Sequence, residues 1–174
     1  MSTDLAALYD AYRQLIAGRR LPLAWADLER VDRNLDAMAE RAAGRPIRIA
    51  SKSLRCPEMI ARVLAHPAYR GVLGFTPAEA AFLHERFGID DIVVAYPNVE
   101  PAELAAALDQ IEVGANITLM VDSVDHVERI GALAFARSLD VPVCLDVDMS
   151  LSVVPLRAAF GGIGWDALPT SLLH

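Results

Sequence analysis

The sequence predicts an α/β fold built on a parallel sheet, and three observations carry that prediction. Apolar β-type runs recur along the chain, helix-period segments separate them, and marked helix starts follow the runs after short loops. Runs without a polar side belong to strands of a parallel sheet whose faces are covered by helices.

The elements follow in order. A first helix is expected from about Thr3 to Ala17, because Leu5, Leu8, Tyr12, Leu15 and Ile16 stand at helical spacing. The run Gly18-Arg19-Arg20-Leu21-Pro22 stops it, and a short apolar piece, Leu23 to Ala26, follows. Asp27 then caps a second helix with Leu28, Val31, Leu35 and Met38 on its apolar face, ending near Gly44. Strands are predicted at Ile47–Ser51, Gly71–Phe75, Asp91–Ala95, Ile117–Val121 and Val141–Val147, with helices over 57–66, 77–87, 101–110 and 123–138. Thr76-Pro77-Ala78-Glu79 has a capping threonine, a proline at the first helical position and a glutamate placed for a capping box. Asp122-Ser123-Val124-Asp125 opens another helix with Asp122 as its cap, and Cys56-Pro57-Glu58 puts a proline and an acid in a first turn. After Val147 the period fades into proline and a glycine cluster, so 151–174 reads as an irregular tail.

The bulk properties remove several classes of function. A net charge of −7 argues against nucleic acid, which would need a basic face. Mean hydropathy is +0.31, rich for a soluble protein, yet no stretch approaches the ~18 uninterrupted apolar residues of a membrane span. Asp4 and Asp10 interrupt any secretory lead. Cys56 and Cys144 form no CxxC pair, so a reducing cytoplasm is the expected compartment.

Five βα strands fit two architectures. An open doubly wound sheet can be completed in 174 residues, whereas a (β/α)8 barrel typically needs ~250. Length alone favours the open sheet. In both, ligands meet the carboxyl ends of the strands, which here offer Lys52, Thr76, Tyr96-Pro97-Asn98, Asp122-Ser123, Asp146 and Asp148. Alternation places Arg48, Ala50 and Lys52 on one face of the first strand, with small neighbours around the lysine. Lys52 is then either a solvated charge at a strand mouth or an amine placed to attack a carbonyl, with Arg48 and Arg55 as nearby cations. Thr76 is most economically a helix cap. Asp146 and Asp148 share a strand face and need a partner, a metal or water. No histidine stands beside them at ligand spacing, so no metal is assigned; His84 and His126 read as residues of exposed helix faces. Gly161-Gly162-Ile163-Gly164 does not fit a dinucleotide fingerprint.

Several segments, in order, carry a resemblance. Pro22 to Met38 resembles the segment that leads into the first barrel strand of the alanine racemase N-terminal domain family. I-R-I-A-S-K-S-L-R-C-P-E, Ile47 to Glu58, resembles that strand with its pyridoxal-phosphate lysine, in the form seen in D-threonine aldolases and related deaminase/aldolase proteins. Gly71 to Ala80 matches the second strand and a T-x-x-E-A helix start; Asp91–Pro97, Leu119–Ser123 and Leu145–Met149 are similar to strands three to five.

The resemblance implies a partial (β/α) TIM-type barrel of about five βα units, with the open doubly wound sheet as the alternative. It divides the chain into a helical lead-in over 1–46, a pyridoxal-phosphate-binding partial barrel over 47–150 and the tail over 151–174. Lys52 would be the catalytic lysine that holds the cofactor, with Thr76, Tyr96, Asp122 and Asp146 beside it. The implied function is that of a pyridoxal-phosphate-dependent amino-acid lyase or racemase, acting at Cα of a D-3-hydroxyamino acid such as D-threonine or D-serine. The partner is an amino-acid substrate, with no nucleic acid, no membrane, and a homodimer left open. The family's arginine after the fifth strand is missing from Asp148-Met149-Ser150-Leu151-Ser152, and strands six to eight do not follow. The chain therefore reads as a truncated member, either an enzyme, a non-catalytic cofactor carrier or an inactive fragment.

Overall fold

The computed structural model describes residues 5–147 of the chain. Two helices, α1 (Leu5–Ile16) and α2 (Leu28–Ala42), precede the sheet. β1 (Ile47–Ala50) runs into a single helical turn, α3 (Ser51–Leu54), and then α4 (Pro57–Leu64). The chain continues through β2 (Tyr69–Gly74), α5 (Pro77–Phe87), β3 (Ile92–Val94), α6 (Pro101–Glu112), β4 (Ile117–Val121), α7 (Val124–Phe135) and β5 (Val143–Leu145).

The strands form one parallel sheet in the order β1-β2-β3-β4-β5. A doubly wound sheet reverses direction at a switch point, whereas here every new strand joins the same edge. With right-handed crossovers, that growth keeps the connecting helices on one side, as in a barrel wall. Over the described residues the sheet is an unclosed sector of a (β/α) barrel, and the doubly wound alternative is set aside.

One-sided packing follows. Ile92, Val94, Ile117, Leu119 and Val121 face the helices and are buried with Ile60, Leu83, Leu104 and Leu108. Full burial of each such side chain contributes about 1.5–3 kcal/mol. The alternate residues Leu73, Val93, Thr118 and Met120 point to the other face and stay half-buried. The apolar runs suggested cover on both faces; among the described residues only one face has it.

Local chemistry explains the helix ends. Thr76 Oγ1 accepts from the Glu79 N–H at 3.2 Å and Pro77 opens α5, as predicted. At α7 the cap is Ser123, whose Oγ accepts from the His126 N–H, and not Asp122. Ser123 has the extended backbone that a cap requires, which leaves Asp122 one residue outside the helix, 2.8 Å from His126 Nδ1. Asp27 caps α2 by accepting from the Arg30 N–H at 3.1 Å, and its carboxylate also accepts from the Tyr12 hydroxyl. Leu35 docks α2 on Val63 and Tyr69. Among the described residues no helix is long and apolar enough to cross a membrane.

Candidate functional site

β1 stops at Ala50, one residue sooner than the apolar run suggests. Ser51 to Leu54 wind into one turn, closed by the Arg55 N–H donating to Ser51 O at 2.8 Å, with Arg55 in the left-handed region at φ 46°. Lys52 therefore rides on a helical turn, and strand alternation does not govern its direction. A four-residue turn has no period that sequence reading could detect.

The surroundings of Lys52 are aromatic instead of small. Its Nζ lies 3.3 Å from Tyr96 Oη and 5.3 Å from the ring centres of both Phe75 and Tyr96. Those two rings meet edge to face at 5.7 Å. Phe75 follows β2 and Tyr96 follows β3, so neighbouring strand ends build two walls around one amine. The amine itself is exposed at the mouth. Arg55 remains on this side, its guanidinium carbon 5.9 Å from the Phe75 ring. Arg48 is engaged away from it: Nη2 donates to Asp91 Oδ1 at 2.9 Å and Nη1 to Asp91 O.

The turn is anchored from behind. Ser51 is 1% exposed, with Oγ 2.5 Å from Glu79 Oε2 and 3.3 Å from Leu73 O. A hydroxyl has one proton, and the nearer carboxylate is the stronger acceptor. Glu79 Oε2 also accepts from the Phe75 N–H at 2.7 Å.

The structure thus brings together Lys52 and Tyr96 of the five sequence-proposed site residues. Thr76 is occupied as a cap, Asp122 stands beside His126, and Asp146 is exposed just past β5, its N–H donating to Val121 O at 2.8 Å. Among the described residues no hydrogen bond or ion pair joins these three to Lys52. Asp148 lies outside the described residues. Neither histidine sits on a bare helix face: His84 Nδ1 is 3.0 Å from Gln110 Oε1, and the His126 side chain is 19% exposed.

Sequence reasoning missed Phe75 and Glu79, whose roles depend on contacts across the sheet. It also missed a signal in plain view: of the 16 basic residues, Lys52 is the only lysine and the rest are arginines. A chain so biased toward arginine retains its one amine side chain at a strand mouth, where arginine could not act as a nucleophile.

The family described as alanine racemase, N-terminal domain, matches residues 26–157. No curated protein matches the chain. Among solved structures, the chain is similar to a D-threonine aldolase from Filomicrobium marinum, with TM-score 0.62 and 24% identity over 70% of this chain and 32% of that one. It is also similar to a D-threo-3-hydroxyaspartate dehydratase from Delftia sp. HT23, with TM-score 0.61 and 27% identity over 68% of this chain and 31% of that one. A mutant form of a D-threo-3-hydroxyaspartate dehydratase gives TM-score 0.64 and 24% identity over 80% and 37%. The chain spans about a third of the length of these relatives.

Proposed function

The chain belongs to the alanine racemase N-terminal domain family, and from that premise we propose that Lys52 captures pyridoxal phosphate for chemistry at Cα of a D-3-hydroxyamino acid. The observation that carries this reading is the placement of the lone lysine. Its amine projects at the carboxyl ends of the strands, between the Phe75 and Tyr96 rings and within 3.3 Å of Tyr96 Oη. The substrate class is supported by the names of the similar structures, since D-threonine and D-threo-3-hydroxyaspartate both carry a 3-hydroxyl.

The residues present fit the aldehyde end of such a cofactor. Lys52 offers an exposed primary amine, the group that condenses with a carbonyl once it is unprotonated. Tyr96 Oη, as hydrogen-bond partner, orients that amine. The two rings screen it from water on two sides and leave the third open for an approaching aldehyde. When bound, pyridoxal phosphate supplies the electron sink that lets a bond at Cα break. The described residues supply no assigned holder for its phosphate, and Thr76, Asp122 and Asp146 enter this reading only through their positions near the strand ends.

The test is direct because the chain has one lysine. Purified protein is mixed with pyridoxal phosphate, its visible absorbance recorded, and the adduct reduced with borohydride for mass measurement, beside Lys52→Ala. A stable band and one adduct on the peptide carrying Lys52, both lost in the variant, are expected. No band, or one unchanged by the substitution, overturns the reading. With capture established, release of an aldehyde from D-threonine or of a 2-oxo acid from D-serine reports turnover.

A further inference from the structure

One carboxylate oxygen holds both sides of the lysine pocket. Glu79 Oε2 accepts from Ser51 Oγ, which adjoins Lys52 on the turn, and from the Phe75 N–H, whose ring is a wall of the pocket. Part of this arrangement serves the helix, since Glu79 stands at the third position after the Thr76 cap and its own N–H returns to Thr76 Oγ1. The rest does not. A reciprocal capping box would send the glutamate back to the cap's own amide; here it reaches the residue before the cap. It also accepts from a serine 28 positions earlier, on the turn that carries Lys52. Ser51 is the one buried polar residue among the described ones, so its partner is not interchangeable with water.

We infer that Glu79 is a positioning residue for Lys52, fixing the distance between the lysine's turn and the Phe75–Tyr96 wall. The inference rests on the proposed role of Lys52. Without the shared acceptor, α3 and the end of β2 keep only the 3.3 Å contact from Ser51 Oγ to Leu73 O and the β1–β2 pairing, and the turn and the aromatic wall shift relative to one another. The amine is then no longer held beside Tyr96 Oη. Glutamine keeps an acceptor oxygen at the same reach, whereas leucine removes it at similar volume.

The experiment compares wild type with Glu79→Gln, Glu79→Leu and Ser51→Ala, each checked for folding by circular dichroism and thermal melting. The first readout needs no cofactor: acetylation of Lys52 by acetic anhydride, followed across pH by mass spectrometry of the peptide carrying it. Among amines only the amino terminus competes, because there is no second lysine, and tyrosine and cysteine acetylation is told apart by the peptide that carries it. The second is the rate of pyridoxal phosphate capture. Glu79→Leu and Ser51→Ala should displace the pH profile of acetylation and slow capture about tenfold, on the scale expected for a displaced reacting group. Glu79→Gln should restore both. A purely structural glutamate would lower the melting temperature and leave the acetylation profile in place. A folded Glu79→Leu protein with the wild-type profile overturns the inference, as does a Gln variant as impaired as Leu. If Glu79→Leu does not fold, Ser51→Ala decides by the same criteria. A displaced profile in a protein whose wild type captures no pyridoxal phosphate leaves the positioning role standing and removes the cofactor reading.

Discussion

Gly71 illustrates what a single residue does in this sheet. Between the pairs Ile47↔Tyr69 and Ile49↔Val72, β2 carries two residues opposite the single Arg48, so Arg70 and Gly71 form a bulge. Gly71 has φ 69°, where a side chain is strained. A Cβ there would lie 2.2 Å from Arg48 Nη1 and 2.4 Å from Asp91 O. Neither atom can retreat easily, because Arg48 is bound to Asp91 through its guanidinium. Gly71→Ala therefore combines left-handed strain with overpacking and should cost about 2–4 kcal/mol, read as a lowered midpoint in urea unfolding. An unchanged midpoint would mean that the bulge rearranges freely. The glycine itself was visible in the sequence; its constraint was not, because it comes from Arg48 on β1 and Asp91 just before β3. Lys52 shows the opposite case. Its motif marked it from the chain alone, while its aromatic walls, its turn and its anchor at Glu79 all required long-range contacts.

Elements with a full period were legible, and those without one were not. Amphipathic spacing located α2, α4, α5, α6 and α7 to within a few residues, and cap residues fixed the starts of α2 and α5. The single turn α3 escaped, and Asp122 was mistaken for a cap because aspartate and serine both satisfy the pattern and only backbone geometry separates them. The docking of α2 on α4 also depends on a tertiary pair. Arg62 binds Asp32 through Nε at 2.9 Å and Nη2 at 2.6 Å. The hydrogen bond from Arg62 holds the Asp32 carboxyl below its ordinary range, and the same bond raises the Arg62 pKa. A carboxyl with a lowered folded pKa stabilises the fold above its unfolded value, about 3.9, and that contribution is lost as pH falls through the folded value. Asp32→Asn should accordingly lower the melting temperature near neutral pH and not in strong acid, where parent and variant curves converge. Curves separated by a constant interval down to pH ~2 would show that the effect of the substitution is steric. Both partners are solvent-exposed, so the neutral-pH difference should be small and should shrink in high salt.

At the scale of the molecule, strand order decided what length could not. The chain is short for a barrel, yet over the described residues its sheet grows in one direction without closing, so the fold there is a sector of the larger architecture. That geometry leaves a specific surface. Among the described residues β5 pairs only with β4; Val143 and Leu145 stand on one face of this outer strand, 49% and 66% exposed, and Val147 just beyond it is 58% exposed. Phe135, at the end of the preceding α7, is 88% exposed. An edge strand with an apolar face offers unpaired backbone groups and hydrophobic area together, a combination that promotes association. Covering even one such leucine would contribute about 1.5–3 kcal/mol. The 174-residue protein should therefore run above its 18.8 kDa mass at micromolar concentration in sedimentation or light scattering. Leu145→Lys places a charge on that strand and should shift the distribution toward monomer, and Phe135→Glu should add to the shift. Because both positions are already exposed, neither change should lower the melting temperature appreciably. A wild-type monomer at all concentrations would overturn the expectation that this edge drives association; association unchanged by either substitution would place the contact on another surface.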